Sequence, residues 1–259
     1  GKNVVILGSG DIGLIMARRM TLEGAKVLGV FEIQPYASGL PRNIEQCLND
    51  YQIPLHLSHS VTEICGVDRL ESVVISEVDD RLQPIPGTEK EYPCDTLILS
   101  VGLIPENELT WMAGAKQDDG TKGASVDENF QTTVPGVFAA GNVLHVHDLV
   151  DFVSMEAEEL ADGAARYIKE GALPDCGLAI TGDSMVGQLT PARFSGTGNV
   201  TVSFRMRKPV RNCTVELWQG DHLVKQKKFP KALPAEMIQI ALKPEELNEK
   251  DNLEVRVVC

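Results

Sequence analysis

The feature that most constrains how this chain can fold is a glycine turn set between an apolar run and a helical pattern. Val4-Val5-Ile6-Leu7 is a continuous apolar stretch, of the kind buried on both faces of a parallel sheet. Gly8-Ser9-Gly10-Asp11-Ile12-Gly13 follows at once. A helical pattern then places Ile12, Ile15, Met16 and Met20 on one face, and Gly24 stands where a left-handed C-terminal cap belongs. A second strand runs from Lys26 to Phe31 and closes on Glu32. Strand, glycine turn, helix, strand and acid in that order predict an α/β, Rossmann-like unit.

Each part of that order has a physical job. Gly8 permits the tight turn out of the strand, and Gly10 lets the backbone approach a pyrophosphate with no side chain between. Gly13 allows the helix to pack close to the sheet. The helix N-terminus offers unpaired N–H groups and partial positive charge to phosphates. Glu32, 19 residues after Gly13, is placed to accept hydrogen bonds from a ribose diol and to repel a 2′-phosphate. The spacing therefore predicts NAD(H) in preference to NADP(H), held by Gly8, Ser9, Gly10, Asp11, Ile12, Gly13 and Glu32.

The chain continues as such a unit should. Asn43 to Asp50 reads as helical and Leu55 to Leu57 as a short strand. Val61 to Ile64, Ser72 to Val78 and the segment from Arg81 to Glu91 predict a three-stranded antiparallel insertion with turns at Pro84 and Pro86-Gly87. Thr96 to Val101 reads as another buried strand. Gly102 at its carboxyl end is either a second ligand contact or a simple turn.

Charge and cysteine usage narrow the function classes. With 24 Lys and Arg against 37 Asp and Glu, the formal net charge is -13, which argues against a nucleic-acid partner. The short basic cluster from Lys225 to Lys231 reads as a solvated strand edge. No apolar run reaches the ~18 residues of a membrane span. Cys47, Cys65, Cys94, Cys176, Cys213 and Cys259 are scattered, with no metal-ligand spacing. That predicts reduced thiols, a cytoplasmic protein and no metal.

A further motif points to a family. Thr132-Thr133-Val134-Pro135-Gly136-Val137-Phe138-Ala139-Ala140-Gly141-Asn142 reads as a turn, a short buried strand and a polar exit. After it, Asp148 to Ile168 reads as a long helix with Leu149, Phe152, Val153, Leu160, Ala164 and Ile168 among its apolar positions. Together with the glycine turn, over about residues 1 to 172, this resembles the pyridine nucleotide-disulfide oxidoreductase superfamily of thioredoxin reductase- and NADH oxidase-like flavoproteins. The resemblance implies FAD as a second cofactor, contacted by Gly141, Asn142, Asp151, Phe152 and Val153, with the helix N-terminus aimed at the flavin. Asn142 stands where the family motif carries an acid. The family's earlier flavin-binding glycine motif has no counterpart here, so the resemblance implies a fragment whose flavin-binding start lies upstream.

His145-Val146-His147-Asp148 leads into the long helix. It admits three readings: metal ligands, which no third cluster in the sequence supports; a proton relay near the flavin, with His145 and His147 as candidate catalytic residues; or surface histidines beside a helix capped by Asp148 or Asp151. The same loop resembles a subgroup that accompanies a glycerol-3-phosphate dehydrogenase-like flavoprotein, which would then be the partner.

From about Pro174 the pattern changes. Val200 to Met206 alternates apolar and polar residues, as do Cys213, Val215 and Leu217, and Gly220-Asp221 offers a hairpin turn before Leu223 to Phe229. Met237 to Leu242 and Leu253 to Val258 complete four or five strands of an immunoglobulin-like antiparallel β-sandwich. The expected organisation is an NAD(H)-binding domain over 1–104, a partial flavin-domain segment over 105–173 and the sandwich over 174–259. The expected function is an NADH- and FAD-dependent oxidoreductase that passes a hydride to flavin and then to a small-molecule or protein acceptor. The alternatives are a flavin-free NAD-dependent dehydrogenase and a non-catalytic NAD-binding docking subunit.

Overall fold

The computed structural model describes residues 2–259. They fall into two compact units, the first ending at Gly102 and the second spanning Leu103–Cys259.

In the first unit, β1 (Asn3–Leu7), β2 (Lys26–Glu32), β3 (Leu55–Leu57) and β7 (Thr96–Leu99) form a parallel sheet in the order β3-β2-β1-β7. The register pairs Leu7 with Phe31 and with Leu99. Helices α1 (Asp11–Leu22) and α2 (Pro41–Cys47) supply Leu14, Ala17 and Cys47 to a core shared with Val4, Ile6 and Val30. β4 (His59–Cys65), β5 (Ser72–Glu77) and β6 (Lys90–Pro93) form the antiparallel insertion, which packs Val73 and Ile75 against Val5 and Phe31. Alternate residues of β1 thus serve two different cores, which is why the strand is apolar without interruption. The third strand of the insertion is Lys90–Pro93; residues 81–89 form its turns.

The helix face differs from the one expected. Gly13, Leu14 and Ala17 are the buried positions of α1, while Ile12 and Ile15 are 67% and 46% exposed. Leu14 and Ala17 enter the core beside the sheet, and Ile12 and Ile15 fall to the outside.

The second unit begins with α3 (Glu108–Met112) and a largely irregular stretch held by Ala124, Val126, Phe130, Ala139 and Leu144. The strand expected after Pro135 reduces to one bridge between Gln131 and Phe138. Helix α4 (Val150–Glu170) follows. Its apolar positions are only partly as expected, since Ile168 is 83% exposed.

The rest is a two-sheet sandwich. β10 (Arg193–Phe194), β8 (Leu178–Gly182), β15 (Leu253–Val258), β12 (Val210–Gln219) and β13 (His222–Ala232) make one sheet in that order. β14 (Ile238–Leu242), β11 (Val200–Met206) and β9 (Val186–Thr190) make the other. Phe194, Val202, Phe204, Val215, Leu217, Leu242 and Val255 fill the space between them. β15 runs parallel to β8 and antiparallel to β12. The sequence missed β8 to β10, because Leu178 to Phe194 mixes glycine, threonine and apolar residues without a clean alternation. β13 is an edge strand and carries the basic cluster. Among the described residues no helix is long and apolar enough to cross a membrane.

Candidate functional site

The glycine turn joins β1 to α1, and its three glycines differ in what they require. Gly8 has φ +98°, and a Cβ there would lie 2.0 Å from the Ser100 carbonyl oxygen. A Cβ on Gly13 would lie 2.4 Å from the Gly8 carbonyl oxygen and 2.9 Å from Ser100 Cβ. Both positions therefore exclude any side chain on internal grounds. Ser100, just past the end of β7, accepts the Gly13 N–H on Oγ at 2.9 Å and donates its own N–H to Leu7. Gly10 is different: φ is -62°, and a Cβ would meet nothing closer than Ser100 Oγ at 3.5 Å. Neither backbone conformation nor internal packing demands glycine at that position. Gly10 is also the N-cap of the helix and has no side chain to cap the first N–H groups, of which that of Gly13 goes to Ser100.

Glu32 lies at the carboxyl end of β2 and is 5% exposed. Its Oε2 accepts the Ser9 N–H at 2.9 Å, the Ser9 hydroxyl at 2.5 Å and the Ser38 hydroxyl at 3.1 Å, while Oε1 accepts the Gln34 N–H at 3.0 Å. The structure thus brings the predicted acid to the predicted turn. Asp11 turns away from the turn: its Oδ1 accepts the Leu40 N–H at 2.8 Å and the Asn43 amide at 2.7 Å, tying α1 to the N-cap and first turn of α2. Ile12 stands exposed on the first turn of α1. Gly102 has φ +90° and open space around it, since a Cβ would meet nothing within 4 Å among the described residues.

In the second unit, Gly141–Val143 form one 3-10 turn, with Gly141 at φ +70°. The Gly141 N–H donates to Glu156 Oε1 at 2.5 Å, from the second turn of α4. The other oxygen of Glu156 lies 2.7 Å from His145 Nε2 and 3.3 Å from His147 Nε2. Burial raises the Glu156 carboxyl, but the imidazoles of His145 and His147 and the Gly141 N–H outweigh it and bring the pKa down to about 2. The side chains of His145 and His147 are 0% and 1% exposed, so the surface-histidine reading is corrected. The capping expectation is corrected as well. Leu149 is the N-cap, with no side-chain cap among the described residues, and Asp148 pairs instead with Arg205 at 3.2 Å.

Glu156 was missed by sequence reasoning. Its signal was present: it falls in the stripe of Phe152, Val153, Leu160 and Gly163, an acid on the face of α4 that faces inward. Asn142 is exposed, and its Oδ1 accepts the His147 N–H at 3.1 Å. Asp151 sits exposed on the first turn of α4, with Phe152 and Val153 half-buried behind it.

The sequence pattern that defines pyridine nucleotide-disulphide oxidoreductases matches residues 1–166. The chain belongs to this family.

The chain is 28% identical over 224 residues to the NADH oxidase of Methanocaldococcus jannaschii, covering 80% of this chain and 45% of that protein. It is 29% identical over 150 residues to the mitochondrial dihydrolipoyl dehydrogenase of Caenorhabditis elegans, covering 55% of this chain and 29% of that one. Among solved structures it resembles the thioredoxin reductase of T. acidophilum, at 27% identity and a TM-score of 0.52, over 66% of this chain and 54% of that chain. The mixture of parallel and antiparallel sheets in the two units matches that neighbour's fold class. The chain spans less than half the length of these two curated relatives. The family binds FAD and NAD(P). Residues of this chain fit both groups: the clearance over Gly10 leaves room for a phosphate at the start of α1, and the first turn of α4 offers a second N-terminus free of a side-chain cap.

Proposed function

We propose that this chain is the NAD(H)-binding part of an FAD-dependent oxidoreductase, organised as a nucleotide-binding domain over 1–104, a flavin-contacting segment over 105–173 and a β-sandwich over 174–259. The observation that carries the reading is Gly10, a glycine that neither its own φ nor its neighbours require, beside a buried acid at the end of the next strand. A residue kept small with room to spare is one that something else must approach.

In this reading the N–H groups of Gly10, Asp11 and Ile12 hold the pyrophosphate, those of Gly8, Ser9 and Gly13 shape the turn through Phe31, Glu32 and Ser100, and Gly102 offers a second backbone contact. Glu32 binds the adenosine ribose by exchanging the Ser9 and Ser38 hydroxyls for the ribose diol, and its charge disfavours a 2′-phosphate. Gly141, Asn142, Asp151, Phe152 and Val153 contact FAD, and the start of α4 stabilises negative charge there. Bound at these residues, NADH and FAD would supply the hydride-transfer chemistry, which the chain's own residues would only position. His145 lies behind Gly141 against Glu156; the burial of both histidines supports a local structural or ligating role over a proton relay. The match to less than half of the NADH oxidase supports placing further flavin-binding residues outside this sequence. The comparisons lend no support to a glycerol-3-phosphate dehydrogenase-like partner.

Calorimetric titration with NADH and NADPH tests the proposal. The wild-type chain should bind NADH with a Kd of about micromolar order and NADPH more weakly. Glu32→Ala should weaken NADH roughly tenfold, about 1.4 kcal/mol, and level the preference. Gly10→Ala should abolish binding while leaving the fold intact. A folded Gly10→Ala protein that binds NADH as tightly as wild type would overturn the reading.

A further inference from the structure

We infer that His145, His147 and Glu156 are the protein ligands of a single divalent transition-metal ion, of the zinc or ferrous-iron class. The inference is independent of the dinucleotide reading, because it uses different residues in a different unit.

Proximity comes first. One ligand atom from each of the three side chains falls within 4.8 Å of the others. Two come from an H-x-H loop whose rings stand 4.3 Å apart, tilted by 52°. The third comes from α4.

Next is the state of the ring nitrogens. All three side chains are at least nine-tenths buried. Of the four imidazole nitrogens, only His145 Nε2 has a hydrogen bond among the described residues; His145 Nδ1 and both nitrogens of His147 have none. His147 Nε2 stands 3.3 Å from Glu156 Oε2 without the alignment of a hydrogen bond. A buried polar atom left without a partner costs about 1–3 kcal/mol. A hydrogen-bonded core cluster accounts for His145 Nε2 and leaves His145 Nδ1 and both His147 nitrogens unpaired among the described residues. A metal ion takes one lone pair from each ring and so gives His147 a partner as well as His145.

The carboxylate is also posed for the task. Its Oε1 is occupied by the Gly141 N–H, which turns Oε2 toward the two imidazoles. The loop is fixed from outside. Asn142 Oδ1 accepts the His147 N–H at 3.1 Å, and Arg205 Nη2 donates to the Val146 carbonyl at 3.0 Å and to Asp148 Oδ1 at 3.2 Å. Two imidazoles and one carboxylate form a borderline donor set. It suits zinc, ferrous iron and their neighbours, and it is wrong for calcium or magnesium, which want oxygen alone. Three protein ligands leave a fourth position for water or a small ligand.

The test is a titration of the chelator-treated wild-type chain with cobalt(II) chloride, read by visible absorption, then displacement with zinc chloride. The expected result is one equivalent bound, with ligand-field bands and without the thiolate charge-transfer band that the six cysteines would give. Zinc should raise the thermal midpoint of the wild type. His147→Ala, whose ring makes no hydrogen bond among the described residues, should fold normally, bind cobalt at least ~100-fold more weakly and lose the zinc-dependent rise. Glu156→Gln should weaken binding as well. Absence of the band in wild type, a thiolate band, or undiminished binding by His147→Ala would each overturn the inference. The wild-type spectrum decides even if a variant misfolds.

Discussion

At the scale of single residues, the glycine turn separates two demands that a motif alone cannot distinguish. Gly13 is small because the Gly8 carbonyl and Ser100 lie against it, and Gly10 is small although nothing in the chain lies against it. Gly13→Ala should therefore lower unfolding stability by about 2–3 kcal/mol, because the clash is with backbone. Gly10→Ala should change it by less than about 0.5 kcal/mol. Denaturant titration of the two variants checks the contrast. The cysteines offer a second residue-level prediction. Burial, with Asp127 and Glu128 nearby, pushes the Cys176 thiol up to about 12, and burial also raises Cys47, Cys94 and Cys213. Thiolate is the reactive form. Iodoacetamide at pH 8 should modify Cys65 and Cys259 rapidly in the native protein, leaving the four buried thiols for denaturant. Mass spectrometry of the labelled peptides would show which outcome holds.

At the scale of elements, the strands and the turn were legible because their patterns have one explanation each. The β1 run is uninterrupted because both its faces are buried, and Glu32 arrives at the turn because parallel pairing aligns the ends of β1 and β2. The buried face of α1 was not legible in that way. Apolar residues occur at Ile12, Leu14, Ile15, Met16 and Ala17, so periodicity admits more than one face, and close contact with the sheet decides among them. Leu14→Ala should cost about 2–4 kcal/mol, while Ile12→Ala should stay within about 0.5 kcal/mol. Comparable losses in thermal unfolding would show that α1 packs on the other face. Glu156 was hidden for a related reason. It is one acid in a helix that also carries Asp151, Glu158, Glu159 and Asp162, and only its inward position sets it apart.

At the scale of the whole second unit, the sandwich is stitched to the segment before it by polar contacts. Ser195 donates its N–H and hydroxyl to Glu128 at 3.0 and 2.6 Å, and the Ala192 N–H donates to the Val126 carbonyl. Arg205 on β11 adds a largely buried guanidinium that also holds the Pro234 and Ala235 carbonyls at 3.1 and 2.6 Å. Removing one partner of such a buried pair costs about 3–5 kcal/mol, since the other charge stays behind without compensation. Arg205→Met should therefore destabilise this unit and expose the loop from Val146 to Leu149 to protease. A variant as resistant as wild type would mean that the loop holds its own shape.

That guanidinium has a bearing on how such a chain could be shortened or recombined. Residue 205 sits 60 positions after His145, yet its contacts fix the carbonyl and the acid on either side of His147. Trimming the protein before β8 to obtain a minimal nucleotide binder would also withdraw the brace from the histidine loop. Grafting residues 141–156 onto another scaffold would carry the three side chains without what holds them. The sandwich, whose sequence shows only a run of strands, is through Arg205 the brace of the loop it follows.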